Sequence, residues 1–197
     1  MESLQSNLLI IASRMLSYPT REDEQAVTEA LEDMDLEDDV KKTVGDALDK
    51  VYRIPLHDRW EIYVSTFDLK EKTGLYLSAH EFGDSPKRGA ALIRLQKIVN
   101  EAGYERMDGE LADYIPMMYE FVAVTYDHPE SERLKNRLAC VTHRIFNQLH
   151  EENPFYHIIS VLMQYVFDAP TKEELVQLEQ QREKADLEEL PYPIMYK

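Results

Sequence analysis

The sequence predicts an all-α fold: a single globular bundle of about seven helices with a polar C-terminal extension. Three observations carry this reading. Apolar residues recur every three or four positions in segment after segment. Capping residues and prolines fall between those stripes. Glycine is scarce, at six in 197 residues, which disfavours a turn-rich β fold. No run reads as a strand and no internal repeat is visible. A chain of this length buries roughly 70% of the surface its unfolded form exposes, so it needs no disulfide or metal to stay folded. We expect one helical domain over 1–180 and an acidic tail over 181–197.

Taken in order, Leu4, Leu8, Ile11 and Met15 mark a first helix from Leu4 to Leu16. Pro19-Thr20 ends it and offers an N-cap to the next, which carries Ala26, Val27, Ala30, Leu31 and Met34 behind an acidic first turn. A short helix covers Val40 to Val51, before Pro55. Asp58 to Phe67 reads as a helix with Trp60, Tyr63, Val64 and Phe67 on one side. A loop then leads to Ser85-Pro86, an N-cap followed by proline at the first helical position. The helix so opened turns Leu92, Leu95, Ile98 and Val99 inward and stops at Gly103. Pro116 belongs near a helix start, because an interior proline costs about 3 kcal/mol. That helix therefore runs from about Ile115 to Tyr126, with Asp113 or Tyr114 just outside it as a candidate cap.

After a break at His128-Pro129, Leu134, Leu138, Val141, Ile145 and Leu149 form the cleanest stripe. Asn153-Pro154 opens a helix over Phe155 to Phe167 that is apolar nearly all round, as a core helix should be. Thr171-x-x-Glu174 has the capping-box spacing. Past Gln180 little remains to bury.

Composition excludes several functions. The formal net charge is −16, from 38 Asp plus Glu against 22 Lys plus Arg. Such a field repels nucleic acid and anionic membranes and favours cationic partners. The single cysteine, Cys140, rules out an intrachain disulfide and reads as an inert, buried thiol, consistent with a reducing cytoplasm. The apolar run Leu8 to Ala12 is too short to span a bilayer and follows Glu2 rather than a basic region.

Candidate chemistry mostly fails. The six histidines form no H-E-x-x-H or Glu-x-x-His pattern, and Cys-x-x-Cys is absent, so no metal is expected. Walker and G-x-G-x-x-G patterns are absent, leaving nucleotide binding without a motif. No nucleophile–base arrangement stands out, so no catalytic residue is assigned. What remains is the stretch Tyr63–Gly89, rich in aromatics and carboxylates, with Glu110 to Phe121 of similar character. Aromatics beside carboxylates form a groove suited to an amphipathic helix bearing Arg or Lys. For any one residue, core packing or capping is the plainer role. Asp84 and Asp113 can be caps, and Arg88 can be a structural ion-pair partner.

The strings Tyr63-x-x-x-Phe67-Asp68, His80-x-x-Gly83-Asp84, Arg88-Gly89 and Glu110-Leu-x-Asp-Tyr-Ile-Pro-Met-Met-Tyr-Glu120-Phe121 resemble the NarJ-type nitrate reductase assembly chaperones, or delta subunits, of the TorD-like redox-enzyme maturation proteins. The resemblance runs from about Leu4 to Phe167. It implies a TorD-like all-helical cytoplasmic chaperone, not an enzyme. Such a protein binds the N-terminal segment of the apo alpha (catalytic) subunit of nitrate reductase. It supports molybdenum cofactor insertion before membrane docking, with the alpha–beta complex as a further partner. The cofactor belongs to the client. By carry-over, and with the neighbouring aromatics, the client-binding residues are Tyr63, Phe67, Asp68, Tyr76, His80, Asp84, Arg88, Glu110, Asp113, Tyr114, Pro116 and Glu120. The acids would pair client Arg or Lys, the aromatics would hold its apolar face, and Pro116 would fix a loop–helix junction. A histidine at position 80 has an ordinary pKa near 6.5, which would allow a pH-dependent grip. One departure is Ser85-Pro86-Lys87 before Arg88, where the family often has a second Arg. The alternatives are a chaperone for another molybdoenzyme of the dimethyl sulfoxide reductase family, or a helical metal-binding protein.

Overall fold

A computed structural model describes residues 4–105, 109–125, 129–177 and 180. Its helices are α1 (Leu4–Leu16), α2 (Glu22–Asp33), α3 (Asp38–Tyr52), α4 (Leu56–Tyr63), α5 (Leu77–Phe82), α6 (Lys87–Glu101), α7 (Ile115–Val124), α8 (Pro129–Phe146) and α9 (Tyr156–Tyr165). A π-helical stretch, Val64–Asp68, continues α4. Among the described residues there is no strand, only an isolated antiparallel bridge between Tyr76 and Tyr114.

The bundle is built around α1. This helix packs on α7, α9 and α2. It buries Leu8, Leu9, Ile11, Ala12, Met15 and Leu16, more than one face can hold, because it has neighbours on several sides. α9 touches α1, α3 and α8, and its Ile158, Ile159, Val161 and Leu162 are buried. Asn153-Pro154 leads into α9 but does not cap it: the Asn153 side-chain carbonyl accepts the Phe155 N–H at 3.0 Å in the turn before the helix, which starts at Tyr156 with Phe155 at its uncapped N-cap and ends at Tyr165 rather than Phe167. The Thr171–Glu174 capping box is formed in both directions. The Thr171 N–H and the Thr171 hydroxyl both donate to the Glu174 carboxylate and hold it below its ordinary range. Gly103 ends α6 with φ of +84°, a conformation that favours glycine.

Several details differ from the sequence reading, each for a local reason. The cap before α2 is supplied by Asp23, whose carboxylate accepts both the N–H and the hydroxyl of Thr20. In α4 the buried face includes Tyr63, but Trp60 lies at the rim, 36% exposed. Its indole N–H donates to the Pro19 carbonyl at 2.7 Å and ties α4 to the α1–α2 turn. Leu149 falls beyond the end of α8. α7 begins at Ile115 with proline in its first turn and ends at Val124; Tyr126 and His128 lie outside the described residues. The tail 181–197 also lies outside them.

The main addition is α5, where the sequence reads as loop. Six residues are too few to display a helical stripe. The helix is held instead by a residue 35 positions later. Asp113, fully buried, accepts from the backbone N–H of Ser78 at 3.0 Å and from the Ser78 hydroxyl. Its own carbonyl accepts the Leu77 N–H at 2.9 Å, and the Ile115 N–H donates to the Leu75 carbonyl at 2.9 Å. Asp113 therefore caps α5 from across the fold rather than capping the α7 that follows it in sequence.

Removing this carboxylate strands two buried donors. We expect Asp113→Ala to cost about 2–4 kcal/mol, read as a lower urea midpoint with unchanged slope. Asp84→Ala, at an exposed position close to the same helix, should stay within about 0.5 kcal/mol of the parent. Equal midpoints for the two variants would refute the assignment of Asp113 as the cap.

Candidate functional site

The twelve residues singled out by sequence divide into an interior set and a surface set. Tyr63, Phe67, His80, Asp113, Tyr114 and Pro116 are buried. Tyr76, Arg88 and Glu110 are half-buried. Asp68, Asp84 and Glu120 are exposed. The first group forms walls and supports, and of its members only Tyr114 reaches the groove described below.

The interior set is tightly interlocked. Tyr63 packs edge-on against Phe67 and Phe155. Its hydroxyl donates to the Leu16 carbonyl at 3.1 Å and lies 3.1 Å from the Tyr114 hydroxyl. Burial, then the neighbouring Tyr114, push the Tyr63 phenol far above its ordinary pKa. The Tyr76 hydroxyl donates to Glu110 at 3.2 Å, and burial followed by the Glu110 charge push it up to about 12. The Arg88 guanidinium lies 6.0 Å from the centre of the Tyr76 ring and 3.9 Å from the Asp113 carboxylate. Its charge thus partly balances the buried acid. Asp68 is pushed above the usual carboxylate range by partial desolvation.

His80 is also a support. Its Nε2 donates to the Gly74 carbonyl at 2.7 Å, which fixes the loop before α5, and its buried Nδ1 lacks a partner. Burial pulls its pKa down to about 4, so the ring is neutral near pH 7. A charge change of His80 near neutrality, which the sequence left open, therefore does not occur in the folded chain. Glu81, beside it, accepts from Nε and Nη2 of Arg137 at 2.6 and 2.7 Å and ties α5 to α8.

An open groove lies next to this block. It lies between the C-terminal half of α1 and α7, with Tyr104 just after α6 also in its lining, and has a volume of about 310 Å³. Its apolar lining includes Val99, Tyr104, Met117, Phe121 and Val124. Tyr104 and Val124 are 42% and 48% exposed, and Tyr104 stands edge-on to Phe121. Glu105 and Glu120 add carboxylates, with Arg14 at 3.9 Å from Glu120. Of the twelve predicted residues only Tyr114 and Glu120 line it. Arg14, Tyr104, Met117 and Val124 were missed. The available signal was the Met117-Met118 pair, because flexible thioethers favour surfaces that adapt to a partner.

Among the described residues no group of three or more His, Cys, Asp or Glu is placed to hold a metal. No described helix is long and apolar enough to cross a membrane. Cys140 is half-buried, and burial raises its thiol, which disfavours the reactive thiolate.

Comparison with known proteins now adds to the geometry. A protein of Bacillus subtilis, "Probable nitrate reductase molybdenum cofactor assembly chaperone NarJ", is 38% identical over 63 residues, covering 32% of this chain and 34% of that one. The nitrate reductase molybdenum cofactor assembly chaperone NarJ of Escherichia coli K12 is 28% identical over 160 residues, covering 79% of this chain and 67% of that one. This chain is similar to the nitrate reductase assembly chaperones. The match thus spans about a third of the first relative's length and two thirds of the second's. The crystal structure of a redox enzyme maturation protein from Archaeoglobus fulgidus superposes with a TM-score of 0.63 at 15% identity, covering 84% of this chain and 95% of that one. That likeness establishes the helical fold. No protein-family model matches the chain.

His80 generates a pH prediction. Its folded pKa lies below the unfolded value near 6.5, so the unfolded chain binds the extra proton. The stability tied to the neutral ring is complete above about pH 6.5 and is lost as pH falls toward about 4. The loss attributable to this ring should be on the order of 2–3 kcal/mol. His80→Gln keeps a donor for Gly74 without a titrating ring. Its urea midpoint should fall less than that of the parent between pH 7 and pH 4.5. Parallel pH profiles would rule out the neutral buried ring.

Proposed function

We propose that this chain is an assembly chaperone for a respiratory nitrate reductase. It binds the apo alpha subunit, through that subunit's N-terminal segment, and keeps it ready for molybdenum cofactor insertion before membrane docking. The relatives named as nitrate reductase assembly chaperones support the chaperone class. The observation that carries the binding mode is the α1–α7 groove: an adaptable apolar lining with carboxylates at Glu105 and Glu120, on a chain with a formal charge of −16. An amphipathic segment with Arg or Lys beside its apolar face fits that chemistry. Tyr104, Phe121 and Val124 would take apolar side chains, while Glu120 would exchange its long Arg14 contact for a client cation. The interior set of Tyr63, Phe67, His80, Asp113 and Tyr114 would hold the groove's walls. On this reading the molybdenum cofactor belongs to the client, the chaperone works in the cytoplasm, and the alpha–beta complex is a second partner.

Calorimetry with a synthetic peptide of the client N-terminus tests the proposal. Tyr104→Ala should weaken binding about tenfold as a partly exposed aromatic anchor. Glu120→Lys should weaken it severalfold at low salt, with the difference shrinking as salt screens the charge. Asp84→Ala, outside the groove lining, should leave affinity unchanged. Absence of binding to the parent chain would overturn the proposal. A pull-down that recovers a different molybdoenzyme would keep the chaperone class and replace the client.

A further inference from the structure

A second recess opens between α6 and α8, with α5 contributing to its lining. It encloses about 480 Å³, within the range of small-molecule pockets. Its charge is opposite to that of the chain. Lys87, Arg94, Arg133 and Arg137 line it against a single acid, Glu81, whereas the whole chain carries 22 cations and 38 acids.

That acid is already committed. Both Glu81 oxygens accept from Arg137, through Nε and Nη2, which fixes the guanidinium plane. The ion pair also fixes Arg137 as a cation: burial works against its charge, but the Glu81 contacts outweigh burial and raise its pKa. Arg94 is exposed on the facing helix and has no ion pair among the described residues. Lys87 and Arg133 have interactions of their own and add their charge to the same recess.

The shape agrees with the charge. Ala90 and Ala91, in the first turns of α6, leave the wall of the recess uncluttered between the cations. The positive end of the helix dipole lies at those turns. Cations contributed by α6 and α8, with Arg94 outside any ion pair among the described residues, match a group that offers several acceptor oxygens.

We propose that this recess binds a small polyanion through a phosphate or diphosphate group. The enclosed volume and the small alanine side chains favour a compact ligand over an acidic peptide. This inference is independent of the α1–α7 groove, since the two recesses share no lining residue.

The probes are pyrophosphate and inorganic phosphate, titrated by calorimetry into the full chain at low ionic strength. We expect saturable binding at one site, with pyrophosphate tighter than phosphate and both weakening as salt rises. Arg94→Glu should weaken pyrophosphate at least tenfold. Ala90→Glu, which puts a carboxylate on the recess wall with a good helix former, should do the same. Circular dichroism melting checks that both variants fold. Glu120→Lys, in the groove, should change pyrophosphate affinity less than twofold, and Arg94→Glu should leave client-peptide binding intact. Lack of saturable binding by the parent chain, or pyrophosphate affinity in Arg94→Glu and Ala90→Glu equal to the parent's, would overturn the proposal. So would an oligoglutamate peptide that binds the recess more tightly than pyrophosphate.

Discussion

The buried carboxylate of Asp113 is the constraint on which the rest of this arrangement hangs. It is fully enclosed, yet it is matched by two donors from Ser78 and by the nearby Arg88 guanidinium. An acid so placed is tolerable only while those partners stay in position. Its location therefore dictates where α5 begins, how the segment before α7 pairs with the segment before α5, and which way Tyr76 and Tyr114 face each other. The same span sets α7 against α1, and the groove between them follows from that packing.

This organisation separates support from contact. Aromatic rings and hydroxyls of Tyr63, Tyr76 and Tyr114 consolidate the inside, where losing a methylene or a hydrogen bond is felt directly. The groove surface draws mainly on other residues, Met, Tyr and Glu side chains along α7 and after α6, with Tyr114 common to both. The frame is thus fixed by interior contacts, while the thioethers along the groove leave its surface adaptable.

Most of the helical framework was legible because its signals are local. The stripe through Leu134, Leu138, Val141 and Ile145, the Asn153-Pro154 turn before α9 and the Gly103 stop each declare themselves within a few residues. What escaped depends on partners far away in sequence. α5 is short and is capped from position 113, so no window around Leu77 could reveal it. The site was half legible for a related reason. Motif strings mark residues that matter to the family's fold as readily as those that touch a client, and burial separates the two. His80, Asp113 and Tyr63 proved to be interior, whereas Glu120 and Tyr114 reach the groove. The basic recess was invisible because its cations come from α6 and α8, about 40 residues apart, and are diluted by the acidic whole.

The weakly buried α6 has a geometric meaning. Its inward contacts rest on Leu95 and Val99, while Ile93 stands 74% exposed. Val99 lines the groove, and one residue earlier Ile98 lines the basic recess. One helix is therefore a party wall between two chambers of opposite charge. Neighbouring residues of a single turn thus give one helix a part in both recesses, which places the two sites back to back without a shared side chain.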